Sequence, residues 1–137
     1  MSSQPKVILI TGASSGIGRT CAIALSKAFS PLVLVLSGRR EDELQKTAEA
    51  CKEGTTTEIC VGDVSDDACV EEMFKTVKEK YGRLDLLFNN AGVDLAPGKP
   101  LIETDMAVFR RMLEINIMAA VLVGTRKRLE RSIYGAS

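Results

Sequence analysis

The sequence predicts an α/β fold in which helices cover both faces of a doubly wound, parallel β-sheet. Stretches of strand type and of helix type alternate strictly along the chain, and this alternation is typical of parallel sheets. The second predicted strand, residues 32–36, is apolar at every position, as expected for a strand that is buried on both faces. The first predicted strand, residues 6–11, leads into a glycine-rich turn and then into an amphipathic helix.

The predicted elements follow one another in a regular order. Strands are expected at residues 6–11, 32–36, 56–61 and 84–88. Helices are expected at residues 17–29, 41–52, 66–81 and 105–128. Ser65 is expected to cap the third helix and Thr104 the fourth, and Gly82 follows the end of the third. Right-handed crossovers between the strands fix the handedness of the sheet. A doubly wound sheet with the strand order 3-2-1-4 is expected, as in the first half of a Rossmann fold that lacks its C-terminal strands.

Length and composition restrict the class of protein. A chain of 137 residues with 45% hydrophobic and 26% charged residues suits a single globular domain over residues 1–137. The formal net charge is zero, so we expect no broad basic face for nucleic acid or for a membrane surface. No apolar run approaches the roughly 18 residues of a membrane span, and the first residues do not resemble a signal peptide. A cytoplasmic location is therefore expected.

The cysteines and the absence of histidine restrict the chemistry. The sequence contains four cysteines, none of them in a Cys-x-x-Cys pair, and no histidine. We therefore expect no metal site and no Ser-His or Cys-His catalytic pair, and we expect the thiols to be buried and reduced. Any chemistry has to use hydroxyls, carboxylates, amides or a bound cofactor.

The glycine-rich turn is the first candidate binding site. Gly12, Gly16 and Gly18 follow the first strand with the spacing Gly-x-x-x-Gly-x-Gly. Glycine allows a tight turn and a close approach of the backbone to a phosphate. The helix that follows presents free N–H groups and the positive end of its dipole to an anion. The segment therefore suits a pyrophosphate, and the alternative is a tight strand-to-helix turn that binds no ligand.

The end of the second strand bears on the choice of cofactor. Residues 37–40 are Ser-Gly-Arg-Arg, with no acid before the next helix. A site for NAD usually has an acid here that holds the ribose 2′-hydroxyl, whereas arginine suits the 2′-phosphate of NADP. We therefore favour NADP over NAD, with Arg39 as the stronger candidate. The alternative is that Arg39 and Arg40 are solvated at the start of a helix.

Polar residues also follow the third and fourth strands. Asp63 can accept a hydrogen bond from the amino group of adenine, or it can shape the turn that comes next. Asn89 and Asn90 can tie neighbouring strand ends together, and Ala91 and Gly92 leave room for a ribose. The alternative for this second segment is an ordinary asparagine-rich turn.

Asn116 is a polar residue in an apolar part of the fourth predicted helix. It lies between Ile115 and Ile117, and we expect this part of the helix to be buried. A buried amide needs a hydrogen-bond partner. Asn116 is therefore either a satisfied core asparagine or an amide that holds a water or a carbonyl at an active site.

Together these segments resemble the motifs of the short-chain dehydrogenase/reductase family, in the family's order, over residues 6–125. The resemblance implies an NADP(H)-dependent oxidoreductase that transfers hydride between a nicotinamide cofactor and a small carbonyl or alcohol substrate. It implies that the glycine turn holds the pyrophosphate and that Asn116 organises a proton-relay water. Asp63 and Val64 would then contact adenine, and the segment from Asn90 would line the ribose. The cofactor-binding residues that it implies are Gly12, Ser14, Ser15, Gly16, Ile17, Gly18, Arg39, Asp63, Val64, Asn90, Ala91 and Gly92.

The C-terminal segment departs from the family's pattern. The family's catalytic group is Ser, Tyr and Lys, and residues 134–137, Tyr-Gly-Ala-Ser, resemble the start of its Tyr-x-Ala-Ser-Lys segment. Tyr134, the candidate catalytic tyrosine, follows Asn116 by only 18 residues, without the strand that carries the family's catalytic serine. We therefore expect a truncated chain that lacks a segment between about residues 126 and 132 and also lacks the C-terminal half.

Truncation leads to two further expectations. The chain is expected to be inactive as an oxidoreductase, because the catalytic serine and lysine are missing. The alternatives are a catalytically silent NADP(H)-binding module or regulatory partner, and a non-functional truncated isoform. The edge of the fourth strand and the apolar face of the fourth helix are expected to lack cover and to promote self-association.

Overall fold

The computed structural model describes the backbone of residues 4–134 and the side chains of residues 4–126. Its strands are β1 Lys6–Thr11, β2 Leu32–Gly38, β3 Thr56–Val61 and β4 Leu86–Phe88. Its α-helices are α1 Gly16–Ala28, α2 Glu41–Ala50, α3 Asp67–Tyr81, α4 Met106–Leu113 and α5 Ala119–Tyr134. A short 3-10 turn, Leu101–Glu103, precedes α4, and a π-helical segment, Glu114–Met118, joins α4 to α5. Within the described residues, no helix is both long enough and apolar enough to cross a membrane.

The four strands form one parallel sheet in the order β3-β2-β1-β4, as predicted. Leu9 in the centre of β1 is in register with Val35 of β2 on one side and with Leu87 of β4 on the other. The chain therefore adds β2 and β3 on one side of β1 and then crosses to the opposite side of β1, where it adds β4. In open sheets of this kind, ligands bind outside the carboxyl ends of the strands at this switch point.

Two apolar clusters fix the sheet between its helices. Alternate residues of β1 and β2 point to opposite faces, because side chains in a strand alternate with a period of two. One cluster contains Val7, Leu9, Val33, Val35, Val70, Met73, Phe74, Val77 and Val123, and so packs α3 and α5 on one face. The other contains Ile8, Ile10, Ala13, Ala22, Leu32, Leu34, Leu36 and Leu44, and packs α1 and α2 on the other face. Burial of both faces explains the uninterrupted apolar runs of these two strands.

The predicted N-caps of the third and fourth helices were each wrong by one residue. Asp66 and Asp105 cap α3 and α4, and each carboxylate accepts a hydrogen bond from the backbone N–H two residues ahead, at 2.9 Å and 2.7 Å. The Ser65 hydroxyl instead donates to the Asp63 carboxylate at 2.7 Å. The hydroxyl of Thr104 donates to a carbonyl of the preceding turn. In both cases the hydroxyl is turned toward an acceptor earlier in the chain, and the carboxylate of the next residue accepts the capping hydrogen bond.

Strand β4 is shorter than predicted because Asp85 pairs with β1 in a different way. The backbone N–H of Asp85 donates to the carbonyl of Val7 at 2.9 Å, and its carboxylate accepts from the N–H of Val7 at 2.8 Å. Arg83 forms a salt bridge with the same carboxylate at 2.5 Å. Burial raises the pKa of Asp85, but the bonds from Arg83 and Val7 outweigh burial and hold it below its ordinary value. A side chain therefore completes the start of the β1–β4 pairing.

The fourth predicted helix is interrupted by the π-helical segment. One continuous α-helix was expected over residues 105–128, whereas α4 and α5 are separated by Glu114–Met118. A π-helical turn contains one extra residue and frequently occurs at functional sites. Asn116 is the central residue of this segment.

Candidate cofactor-binding site

An open cleft of about 440 Å³ lies at the carboxyl edge of the sheet, beside the ends of β1 and β4. Its lining residues are Gly12, Ser14, Ser15, Gly16, Ile17, Gly38, Arg39, Arg40, Gly62, Asp63, Val64, Asn90, Ala91, Gly92, Val93 and Ile115. The cleft therefore brings together every residue predicted to bind the cofactor except Gly18.

The three glycines of the turn serve different purposes. Gly12 and Gly16 have positive φ angles of 68° and 56°, which favour glycine. A Cβ on Gly12 would lie 2.9 Å from Cα of Ala91, whereas a Cβ on Gly16 would meet nothing within 4 Å. A Cβ on Gly18 would lie 2.2 Å from the carbonyl oxygen of Gly12. Gly18 thus packs beneath the turn, which explains its absence from the cleft lining.

Helix α1 begins at the cleft with its N-terminus unsatisfied. Ser15 occupies the N-cap position, but its side chain makes no capping hydrogen bond. The first turn contains no acidic residue. The N–H groups of a first helical turn have no partner within the helix, and they carry the positive end of the dipole. This end of the cleft therefore suits an anionic group.

The peptide groups of the glycine turn are held in place by α1 and α2. The hydroxyl of Thr47 donates to the carbonyl of Ala13 at 2.8 Å, and the guanidinium of Arg19 donates to the carbonyl of Ser14 at 2.6 Å. In a trans peptide the N–H points opposite to the carbonyl. The N–H groups of Ser14 and Ser15 therefore point away from these two side chains. Sequence reasoning missed Thr47, although a threonine on the buried face of a helix is a detectable signal.

Arg19 is itself fixed by α2. Its guanidinium forms a salt bridge with Glu43 at 2.6 Å and donates to Thr47 at 2.9 Å. Hydrogen bonds from Lys46 and Arg19 lower the pKa of Glu43 to about 2. The acid stays ionised, and the arginine keeps its position beneath the turn.

Arg39 and Arg40 lie at the rim of the cleft where β2 ends. Both residues are exposed, and no hydrogen bond or ion pair joins either guanidinium to another described residue. Ser14 lies beside them, because a Cβ on Gly38 would be 3.4 Å from its hydroxyl oxygen. Asp63 is the one carboxylate among the described residues that line the cleft. Two unpaired cations and a hydroxyl therefore face one part of the cleft.

Asp63 lines the cleft with its carboxylate held on two sides. One oxygen, Oδ1, accepts from the N–H of Ser65 at 2.9 Å and from its hydroxyl at 2.7 Å. The other, Oδ2, accepts from Arg111 of α4 at 2.6 Å. Burial raises the pKa of Asp63, but the hydrogen bonds from Ser65 and Arg111 outweigh burial and lower it overall. Sequence reasoning missed Arg111, which is 48 residues away along the chain.

The segment that follows β4 is tied to the end of β1. The hydroxyl oxygen of Thr11 accepts from the N–H groups of Asn90 and Ala91, each at 3.0 Å. The Asn90 amide donates back to the carbonyl of Thr11 at 3.2 Å. Asn89 donates to a carbonyl of α5 at 2.7 Å. The two amides thus hold neighbouring elements together and place Ala91 and Gly92 at the cleft wall.

Asn116 is exposed, so the expectation of a buried amide was wrong. The Asn116 carbonyl oxygen accepts from the N–H of Val93 at 2.7 Å, and its amide nitrogen donates to the carbonyl of Val93 at 2.8 Å. A Cβ on Gly92 would lie 3.3 Å from the same side-chain oxygen. Asn116 therefore fixes the loop that closes one end of the cleft.

Tyr134 is separated from this region by the length of α5. It is the last residue of that helix, and its side chain lies outside the described residues. With a rise of 1.5 Å per residue, the 18 positions from Asn116 correspond to about 27 Å along the helix. Residues 135–137, the rest of the Tyr-Gly-Ala-Ser segment, also lie outside the described residues.

Comparisons with known proteins agree with the fold and the motifs. The family model for short chain dehydrogenase matches residues 6–132. Sulfoacetaldehyde reductase 2 of Chromohalobacter salexigens is 37% identical over 117 residues, which cover 85% of this chain and 45% of that protein. The structure of L-sorbose reductase from Gluconobacter frateurii, complexed with NADPH and L-sorbose, has a TM-score of 0.74 and 32% identity over 89% of this chain and 46% of its own. NAD⁺-bound xylitol dehydrogenase has a TM-score of 0.81 and 29% identity over 95% of this chain and 50% of its own.

The matches cover most of this chain but only about half of each related protein. The family match spans nearly all of the chain, and it includes the parallel sheet and the cleft described above. The chain spans about half the length of the relatives that it matches. The chain belongs to the short-chain dehydrogenase family, and it corresponds to about half of a full-length member.

Proposed function

We propose that this chain is the cofactor-binding half of an NADP(H)-dependent oxidoreductase that interconverts a small carbonyl compound and an alcohol. The observation that carries the proposal is the pairing, in one cleft, of an uncapped helix N-terminus with two unpaired arginines. A dinucleotide that carries a 2′-phosphate has an anionic group for each of these positions. Membership of the family supplies the reaction class.

The cleft residues fit such a cofactor from end to end. The N–H groups of the glycine turn and of α1 would bind the pyrophosphate. The carboxylate of Asp63 and the side chain of Val64 would contact adenine, and the backbone from Asn90 to Gly92 would line the ribose. Asn116 would fix the loop that lies beside the nicotinamide end. The bound nicotinamide would supply or accept the hydride.

The preference for NADP over NAD rests on the residues at the end of β2. Related structures contain NADPH in one case and NAD⁺ in another, so the choice depends on this chain's own side chains. An acid that could hold the 2′-hydroxyl of NAD is absent from residues 37–40. A 2′-phosphate would meet Arg39 first, with Arg40 and the hydroxyl of Ser14 close by.

We propose that the 137-residue chain binds the cofactor without turning over a substrate. In the family pattern a strand that carries the catalytic serine follows the helix of Asn116, whereas here Ala119–Tyr134 is one helix. This helix separates the backbones of Asn116 and Tyr134 by about 27 Å, which is several times the reach of a tyrosine side chain. The second candidate function is therefore that of a catalytically silent NADP(H)-binding module, in which the chain binds the cofactor and is not part of an oxidoreductase.

Cofactor binding is tested by fluorescence titration of the purified chain with NADPH, and with NADH for comparison. We expect saturable binding that is tighter for NADPH, and Arg39→Asp should weaken NADPH binding far more than NADH binding. Arg110→Asp is the charge-matched control, because Arg110 is exposed on α4 and does not line the cleft. Equal affinity for both cofactors would contradict the NADP preference. Consumption of NADPH with a panel of aldehydes and ketones would contradict the absence of turnover.

We also propose that the chain self-associates through apolar surface on the π-helical segment, α5 and β4. Met118, Val121 and Leu86 are 63%, 59% and 47% exposed, respectively. Adjacent exposed apolar side chains and an uncovered strand edge favour association. Sedimentation velocity should show oligomers that Val121→Glu shifts toward the monomer. Val61→Glu, at a residue that is 49% exposed on β3, is the control, and equal effects of the two variants would contradict the proposed surface.

A further inference from the structure

The carboxylate of Asp63 has a limited number of free acceptor positions. Each carboxylate oxygen accepts about two hydrogen bonds. The backbone and hydroxyl of Ser65 occupy both positions on Oδ1. Arg111 occupies one position on Oδ2. A single acceptor position on Oδ2 therefore remains for a ligand in the cleft.

Arg111 contacts this carboxylate from outside the cleft. It lies in the last turn of α4 and is not among the cleft-lining residues. Its guanidinium also donates to the hydroxyl of Ser65 at 2.9 Å and to the carboxylate of Glu114 at 3.2 Å. Arg111 thus fixes the carboxylate of Asp63 and the hydroxyl of Ser65 relative to each other. The carboxylate of Glu114 in turn holds the guanidinium of Arg111 in place.

We propose that Arg111 is a positioning residue that gives Asp63 its selectivity for an adenine amino group. The proposal rests on the proposed cofactor function. With Arg111 in place, Oδ2 is fixed and presents one acceptor position to a donor in the cleft. Without Arg111 the same oxygen is free to bind water or to rotate, and its alignment with the amino group is lost.

Arg111 also keeps Asp63 in the form that accepts hydrogen bonds. An ionised carboxylate only accepts, whereas the protonated form places a donor at one oxygen. Loss of Arg111 removes one of the contacts that lower the pKa of Asp63, so this pKa should rise. The carboxylate of Asp63 should then become protonated at a higher pH in the variant than in the unsubstituted chain.

A purely structural role for Arg111 is the competing explanation. Arg111 joins α4 to the end of β3, and a bond of this kind could stabilise the fold without affecting recognition. The two roles differ in their dependence on the base of the cofactor. A hypoxanthine base has a carbonyl oxygen where adenine has its amino group, so it offers Oδ2 no donor at that place.

The experiment compares NADPH with its hypoxanthine analogue by fluorescence titration. We expect the unsubstituted chain to prefer NADPH, and we expect Arg111→Met to weaken NADPH binding about tenfold, as for the loss of a hydrogen bond to a charged group. Binding of the hypoxanthine analogue should change less than about twofold, so that the preference collapses. Arg110→Met, at the neighbouring exposed arginine, should leave both affinities unchanged. Arg111→Lys, which keeps the charge, should retain part of the preference.

The outcomes separate this inference from the proposed function. Failure of the unsubstituted chain to bind either cofactor would refute the proposed function and this inference with it. Binding of both cofactors with equal affinity would refute the inference and leave cofactor binding intact. Equal weakening of both cofactors by Arg111→Met would also refute it, because a structural role predicts that result. If circular dichroism shows that Arg111→Met does not fold, Arg111→Lys and Asp63→Asn replace it. A preference for NADPH that is unchanged in Arg111→Lys but collapses in Asp63→Asn would refute the claim that adenine selectivity requires the guanidinium of Arg111.

Discussion

Replacing Thr47 by valine removes one hydroxyl from beneath the glycine turn and keeps the shape of the side chain. Thr47 is fully buried in α2, and its hydroxyl donates to the carbonyl of Ala13 and accepts from Arg19. The variant leaves a buried carbonyl without this partner, while Arg19 keeps its bonds to Ser14 and Glu43. Valine is close to threonine in size and shape, so the main change is the loss of the hydroxyl and not a new cavity.

Most of the effect follows from the hydrogen bond that the buried carbonyl of Ala13 loses, because the side chain of Arg19, which also loses its bond to Thr47, is partly exposed. A buried acceptor left without its donor costs about 1–3 kcal/mol, so the free energy of unfolding should fall by about 2 kcal/mol. With a urea slope of about 2 kcal/mol/M, the unfolding midpoint should fall by about 1 M. Affinity for NADPH should also fall, because the carbonyl of Ala13 no longer fixes the orientation of the peptide that carries the N–H of Ser14.

The assay is urea unfolding followed by circular dichroism, together with the NADPH titration. Thr125→Val is the matched control, since the exposed hydroxyl of Thr125 bonds, among the described residues, only to a carbonyl of its own helix, that of Val121. This control should change stability by less than about 0.5 kcal/mol. Equal stability of the Thr47 and Thr125 variants would refute the reasoning. A large loss of stability in Thr47→Val with unchanged NADPH affinity would refute the link between Thr47 and the glycine turn.

Two further predictions concern the turn and the support beneath it. Gly18→Ala should destabilise the chain by about 3 kcal/mol, because its Cβ would lie 2.2 Å from the Gly12 carbonyl oxygen. Gly16→Ala should cost about 1 kcal/mol, because only its left-handed backbone disfavours a side chain. Urea unfolding that shows Gly16→Ala to be the more destabilising of the two would contradict these roles of the glycines. The pKa of Glu43 is about 2 in the folded chain, whereas its ordinary value is 4.5. Ionised Glu43 therefore stabilises the fold at any pH above 4.5, and this stabilisation is lost as the pH falls toward about 2. Stability should therefore fall less steeply between about pH 5 and about pH 2 in Glu43→Gln than in the unsubstituted chain, and parallel curves would contradict the role of Glu43.

Local patterns in the sequence predicted the sheet and most of the cleft. The strict alternation of strands and helices predicted a doubly wound sheet and with it the order β3-β2-β1-β4, because parallel strands joined by helical crossovers have few possible topologies. The positions of Arg39 and Asp63 at the cleft followed from their places directly after strands, since the carboxyl ends of parallel strands meet at one edge.

The supporting contacts could not be predicted, because they join residues far apart in the chain. Thr47 and Arg111 act on residues 34 and 48 positions away. The position of Thr47 on the buried face of a helix is a local signal for Thr47 itself, but no local pattern identifies the residue that it bonds. Asp85 looked like an ordinary strand residue, yet its carboxylate pairs with the backbone of Val7. The exposure of Asn116 likewise depends on the π-helical segment, which helical periodicity does not reveal.

The most direct test of the account is the location of the cofactor on the chain. Amide chemical shifts of isotopically labelled protein, recorded as NADPH is added, identify the residues that the cofactor contacts. The account predicts saturable shifts at Ser14, Ser15, Gly16 and Arg39, with shifts at Arg39 much reduced when NADH replaces NADPH. Shifts confined instead to the neighbouring pocket of about 220 Å³ between β3 and α3, at residues such as Cys69 and Thr76 that do not line the cleft, would contradict it.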